Sequence, residues 1–272
     1  MKALRSISLV AALVGSLAAT SAFAGAIHDA NLFTNVLAPN DDGSTGQVAL
    51  GFAANINGTS YTQTYVNNNG NITFNNPLGI FTPSAISTGG FGPIIAAFFA
   101  DVDTRASTSD VVRYGAATLG GQNVFGVNYI NVGVFSQQNI LNSFQMILTD
   151  RSDVAAGDFD IQFNYDSILW ETGTASGAAP GGLGGTSALV GYWTSASSNA
   201  TLAGSLVNGA LINGGPNALV SHSLNSNVLG QYNFQVRGGR VVTNDVPEPS
   251  ALALVGLALA GLSLLSRKKR AA

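Results

Sequence analysis

Cysteine is absent from all 272 residues, so no disulfide can staple the fold and no thiolate is available as nucleophile or metal ligand. Lysine is confined to the ends, as Lys2, Lys268 and Lys269, and residues 25–244 contain none. That removes the side chain that forms Schiff bases, and the lack of any Gly-Lys-Ser/Thr triplet excludes a phosphate-binding loop. Histidine occurs only as His28 and His222, and no Gly-x-Ser-x-Gly turn is present, so the material for nucleophilic catalysis is thin. His28 falls near the start of the body, where a mobile end is expected, and His222 between Ser221 and Ser223 reads as a surface imidazole.

Charge of either sign is also scarce, at 9% of residues. Within 25–244, twelve acidic residues stand against five arginines (Arg105, Arg113, Arg151, Arg237 and Arg240), a formal balance of 5 − 12 = −7. A body of that sign has no electrostatic footprint for nucleic acid or for an anionic membrane surface. Without cross-links, stability has to come from a packed core or from bound ions. Core material exists: short runs of Val, Ile, Phe and Tyr are separated by Asn, Ser, Thr and Gly, the profile of a β protein with a polar, weakly charged surface.

The two ends differ from this body. Lys2 and Arg5 precede a mostly apolar stretch from Ile7 to Ala19, and Ala22 and Ala24 place small residues at the two positions read by a signal peptidase. This is the three-part build of a secretory signal, with cleavage expected after Ala24. At the other end Ala251 to Leu265 is apolar over fifteen residues and is followed by the basic cluster Arg267, Lys268, Lys269 and Arg270. As a helix it would be roughly 22 Å long against a hydrocarbon core of about 30 Å, a short transmembrane helix with its basic end on the cytoplasmic side. Pro247 and Pro249 bracket Glu248 and stop that helix from extending backwards.

The order Val246-Pro247-Glu248-Pro249-Ser250, apolar helix, basic end resembles the PEP-CTERM sorting signal of Gram-negative bacteria. The resemblance implies that an exosortase in the inner membrane cuts at or near the motif and passes the body to the cell surface or extracellular matrix. Without that enzyme the same segment would serve as a plain anchor.

Between the signals, alternation marks the strands. Tyr61 to Asn67 and Asn71 to Phe74 alternate around the turn signal Asn67-Asn68-Asn69-Gly70. Phe125, Val127 and Tyr129 share one face of a strand reaching to about Phe135, and Phe144, Met146 and Leu148 repeat the pattern. Phe159, Ile161, Phe163 and Tyr165 form the clearest half-buried strand, with Asp158, Asp160, Gln162 and Asn164 predicted to face solvent. A change of parity at Ile168 and Trp170 predicts a bulge near Asp166-Ser167. Val190 to Trp193 and Tyr232 to Val236 add later strands, 173–185 reads as a long glycine-rich loop, and 197–217 shows little pattern. The expected architecture is an all-β antiparallel sandwich or barrel.

Three segments then fall into a recognisable order: Val66 to Phe74, Pro93 to Arg105, and Phe144 to Gly173. Together they resemble the nidogen-like NIDO domain, with Ile94 to Arg105 the most specific piece and Ala188 to Tyr192 fitting a later strand. Ala97 and Phe99 depart from the proline and tryptophan frequent in that family. The resemblance implies an antiparallel β-sandwich, associated with cell–matrix adhesion and carrying no catalytic residues over. It divides the chain into a signal peptide (1–24), an N-terminal part of the β domain (25–60), the NIDO-like domain (61–242) and the sorting signal (243–272).

The residues offer three candidate chemistries. On an extended strand Asp101, Asp103 and Arg105 would share one face, giving an ion-pair strand or, with two carboxylates and loop carbonyls, a calcium site. Stricter calcium patterns fail, because an EF-hand loop starting at Asp101 would meet Ala106 and Val112 at its glycine and glutamate positions, and a calcium nonapeptide beginning at Gly181 meets Thr186. A glycan hydrolase would need two of Asp158, Asp160, Asp166 and Glu171 across a cleft. The expectation is an exported, non-enzymatic surface or matrix module without a resident cofactor. Its partners would be signal peptidase, an exosortase and an extracellular polysaccharide or matrix protein.

Overall fold

The computed structural model describes residues 25–136 and 139–242; the expected secretory segment and the tail from residue 243 onward, with the expected short transmembrane helix, lie outside the described residues. In chain order the strands are β1 (Asn35–Val36), β2 (Val48–Ile56), β3 (Thr59–Asn67), β4 (Asn71–Thr73), β5 (Ile94–Phe99), β6 (Val102–Asp103) and β7 (Arg113–Leu119). They continue with β8 (Gln122–Val134), β9 (Asn142–Asp150), β10 (Phe159–Ser167), β11 (Leu189–Ser195), β12 (Ser198–Thr201), β13 (Gln231–Arg237) and β14 (Arg240–Val242). The only helical pieces among the described residues are two short 3-10 turns, so none is long and apolar enough to cross a membrane.

Two antiparallel sheets result, as the alternation predicts. The first runs β1-β7-β8-β9-β10-β13-β14 with β6 also paired to β8, and the second runs β12-β11-β5-β4-β3-β2. Inward side chains of the first sheet form an aromatic row, because cross-strand registers place Tyr129 opposite Phe144 and Phe144 opposite Tyr165. Tyr129 and Phe144 stack with ring centres 4.6 Å apart, and Phe144 also meets Phe98 of β5 at 5.3 Å, which joins the two sheets through one core. Two tyrosines add polar struts across that core. Tyr129 donates to the Asn67 carbonyl at 2.7 Å and Tyr165 to the Ala97 carbonyl at 2.6 Å. The expected bulge is present as a register shift between Tyr165 and Ser167.

Three expectations change. The outer face of the β10 strand is only partly solvated: Asp160 and Gln162 are half-buried, Asp158 is buried, and Asn164, with Gln145 beside it on β9, is wholly buried where residues 25–33 cross. His28 is anchored in that crossing, its backbone N–H donating to Gln145 Oε1 at 3.1 Å and its Nε2 lying 2.9 Å from Gln162 Oε1, while Phe33 packs on Val124 and Ile147. An exposed amide row would need only water, whereas this one bonds to the strap and to itself. Nor do residues 101–105 form one extended strand. β5 ends at Phe99 in the second sheet, the chain bends at Ala100-Asp101, and β6 joins the first sheet. The bend breaks the alternation that would have put Asp101 and Asp103 on a common strand face. Lastly, part of the unpatterned 197–217 stretch forms β12, and Ala210 and Leu211 enter the core.

Removing a tyrosine hydroxyl here leaves a buried carbonyl without its donor, so Tyr129→Phe and Tyr165→Phe should each cost about 1–3 kcal/mol. Chemical denaturation of the two variants checks this, with an unchanged midpoint as the contrary result.

Candidate functional site

The polar centre of the molecule lies at one end of the sandwich, where three connections meet. These are the β1–β2 connection carrying Asp41 and Asp42, the β3–β4 turn Asn68-Asn69-Gly70, and the β5–β6 crossover at Asp101. The asparagine turn is the hub. Asn67, Asn68, Asn69 and Asn71 are all 0% exposed, and each places its amide where a backbone group needs a partner. Asn67 Oδ1 accepts from Ser44 Oγ at 2.8 Å and from the Leu78 N–H at 3.0 Å, while its Nδ2 donates to Asn71 Oδ1 at 2.8 Å. Asn68 Nδ2 donates to the carbonyls of Asp41 and Val102. Asn69 Oδ1 accepts from the Val102 N–H at 2.9 Å, and its Nδ2 donates to Asp42 Oδ1 at 2.9 Å. The turn therefore fixes both neighbouring connections through side chains rather than through sheet pairing.

Gly70 makes the close approach feasible. It has φ +76°, and a Cβ there would lie 1.7 Å from the Phe98 carbonyl oxygen, to whose residue Gly70 is already bonded as acceptor of the Phe98 N–H at 3.0 Å. Sequence reading identified the turn but not its burial, because Asn-Asn-Asn-Gly has the composition of an exposed hairpin loop.

Four carboxylates and one guanidinium occupy this end. Arg105 grips Asp103 with two bonds, Nε to Oδ1 at 2.9 Å and Nη2 to Oδ2 at 2.7 Å, and Nη2 also reaches Asp41 Oδ2 at 3.1 Å. Asp103 thus belongs to the arginine. Asp101 instead joins Asp41 and Asp42, with one ligand oxygen from each lying within 4.8 Å of the others. Asp101 is 2% exposed and its Oδ2, like Asp41 Oδ1, has no hydrogen-bond donor. Burial, then repulsion from Asp41, Asp42 and Asp103, pushes the Asp101 carboxyl up to about 7 against the pull of Arg105. Asp41 is raised to about 6, by burial first and then by Asp42 and Asp103. Asp41 and Asp42, some sixty residues before Asp101, were not singled out in the sequence; their signal was an acidic pair in a chain poor in charge.

The other sequence candidates separate. Asp160 lies between Arg151 at 2.9 Å and Arg237 at 2.6 Å, and Asp158 accepts from the Gly238 N–H at 2.8 Å. Glu171 is buried with both oxygens taken by backbone N–H groups of Gly209 and Leu211, so it pins the 202–220 segment; burial raises its pKa and those bonds pull it back. Asp166 accepts from the Ile27 N–H at 3.3 Å. Asp160 and Asp166 line different surface grooves, so this pair does not face across a shared cleft. His222 Nδ1 sits 2.9 Å from the Ala218 carbonyl, a local turn contact.

With this geometry in place, comparison with known proteins supplies the family. The nidogen-like domain profile matches residues 62–238. The chain belongs to the nidogen-like family. The domain's asparagine turn, crossover and aromatic row all lie inside that match. A second profile, the PEP-CTERM protein-sorting motif, matches residues 245–270 and so takes in Val246 to Ser250 and the basic end. Alpha-tectorin from Mus musculus is 31% identical over 227 residues, covering 74% of this chain, and the Homo sapiens protein is 30% identical over the same length. Alpha-tectorin from Gallus gallus is 30% identical over 239 residues. The chain spans about a tenth of the length of these relatives, at 10% in each case. No solved structure matches. A nidogen-like domain joined to a sorting motif marks an exported, extracellular or cell-surface protein, processed by an exosortase.

Two outcomes follow for the nidogen-like domain. Raised carboxyl pKa values mean that the folded state holds protons the unfolded chain would release, so stability falls as pH rises through the window from about 4 to about 7. In chelator, the thermal midpoint should therefore be lower at pH 8 than at pH 5, and Asp101→Asn should reduce that difference. Gly70→Ala should destabilise by at least about 2 kcal/mol, read by the same melts, since both its backbone angle and the Phe98 carbonyl oppose a Cβ.

Proposed function

We propose that the mature protein is a non-enzymatic surface or matrix module that contributes to cell–matrix adhesion or to the association of a biofilm with its exopolysaccharide. The observation that carries this reading is the coupling of a nidogen-like domain to a sorting motif in one chain. The carboxylates on which a glycan hydrolase would rely are engaged otherwise, Asp160 by two arginines and Glu171 by two backbone N–H groups, which supports binding over catalysis. In this reading signal peptidase cuts after Ala24, the apolar tail holds the precursor in the inner membrane of a Gram-negative bacterium for a time, and an exosortase releases it near Pro247-Glu248-Pro249. Recognition of polysaccharide or matrix protein then falls to loops and polar edges held by the sandwich, where rigid β scaffolds commonly carry contacts.

Intact mass spectrometry of supernatant, envelope and inner-membrane fractions tests the route. A species beginning at Gly25 and ending near Val246 to Ser250, found outside the inner membrane, is expected; a species that keeps Arg267 to Arg270 in the inner membrane would replace the matrix role with a tethered periplasmic one. Co-sedimentation with isolated exopolysaccharide and matrix protein tests the role itself. Retention in neither fraction, or turnover of glycan that Asp160→Asn or Glu171→Gln abolishes, would overturn it.

A further inference from the structure

We propose that Asp41, Asp42 and Asp101 form a calcium site that ties together the three chain connections at the asparagine-turn end of the sandwich. The first ground is spacing. One oxygen from each residue lies within 4.8 Å of the other two. Oxygens that share one calcium ion at 2.3–2.6 Å are at most about 4.6–5.2 Å apart, so a single ion can reach all three.

The second ground is independent of the acidic cluster. Asn68 is 0% exposed and its Oδ1 has no donor. Its amide nitrogen is fixed on the carbonyls of Asp41 and Val102, the two chain segments that bring the carboxylates together. Asn68 Oδ1 is thus a neutral, buried oxygen without a donor on the residue that holds the Asp41 segment against the crossover, in addition to the unpartnered Asp41 Oδ1 and Asp101 Oδ2. Buried oxygens without donors cost free energy unless something electropositive meets them, and a cation meets several at once.

Charge and ligand type narrow the occupant. Arg105 is committed to Asp103 by two bonds and touches the trio only at Asp41 Oδ2, so the cluster keeps an excess of negative charge. All the donors are oxygens, which suits a hard cation. The chain has no cysteine, and His28 and His222 are bonded to Gln162 and to the Ala218 carbonyl, so thiolate or imidazole ligation of zinc or copper has no basis here. Asp42 is the exposed member of the trio and gives an ion its way in; its orientation is set by Asn69. The sequence offers Asp101 and Asp103 either as an ion-pair strand or as a calcium site; Asp103 is the arginine's partner, and it is the pair Asp41-Asp42 that joins Asp101.

The test uses the full-length protein, stripped with EGTA, titrated with calcium chloride by calorimetry and melted across the same calcium range. One calcium per chain and a midpoint that climbs with calcium are expected, because an ion bound only to the fold stabilises it. Asp42→Asn, which alters an exposed side chain, should weaken binding at least tenfold and abolish the climb, while Asp29→Asn, remote on the strap, should change neither. Asp101→Asn should behave like Asp42→Asn if it folds, and circular dichroism decides whether it does. Absence of binding at millimolar calcium would overturn the proposal, as would a calcium response that survives in Asp42→Asn. An equal response to magnesium chloride would overturn the assignment to calcium.

Discussion

Everything at the functional end of this molecule depends on four asparagines buried in one tight turn. Burying an amide is costly unless its hydrogen bonds are made, and Asn67, Asn69 and Asn71 make theirs with backbone groups, with one another and with the side chains of Ser44, Thr73 and Asp42. The turn thereby stands in for sheet hydrogen bonds at the point where the chain leaves one sheet for the other. Were these positions apolar, the Val102 N–H and the Asp41 and Val102 carbonyls would lose these side-chain partners, and residues 40–45 would be tied to the crossover only by Thr104, which bonds Asn40, and by Arg105 on Asp41 among the contacts described. The aromatic row and the tyrosine struts are the apolar counterpart: Tyr129 ends on the Asn67 carbonyl, so core and turn are one connected structure.

A chain without disulfides has to secure its connections by other means, and three are visible. Arg105 closes on Asp103 and Asp41; Glu171 draws the long segment after β12 onto the sandwich through two backbone N–H groups; and residues 25–33 lie across β8, β9 and β10, exchanging bonds with the amide row beneath. Each fixes a loop to a sheet. Scarce charge is consistent with this, since buried carboxylates such as Glu171 and Asp158 hold backbone N–H groups in place.

The sandwich was legible because period-two alternation is a local property: Phe159, Ile161, Phe163 and Tyr165 declare their shared face without reference to anything else. The crossover was half legible. Ile94 to Phe99 reads as a buried strand, but the bend at Ala100-Asp101 depends on which sheet receives Val102, and that is a tertiary fact. The candidate site was legible only in part for the same reason. Asp101 stood out, whereas its partners Asp41 and Asp42 lie far off in the chain and meet it only once the asparagine turn has drawn both segments in. The strap was missed because a chain end with one histidine and few strand formers carries no periodic signal; its order comes from a surface it completes.

The last strand among the described residues, β14, closes at Val242, and the proline-glutamate-proline motif starts at Pro247, five residues later. A fully extended chain of that length reaches at most about 18 Å, less than the breadth of roughly 40 Å expected of a compact domain of about 200 residues. An enzyme that reads the motif must therefore work almost in contact with the β13–β14 edge of the first sheet. The domain is then part of the substrate's shape, and its girth limits how wide the mouth of the processing enzyme can be before the motif slips out of reach.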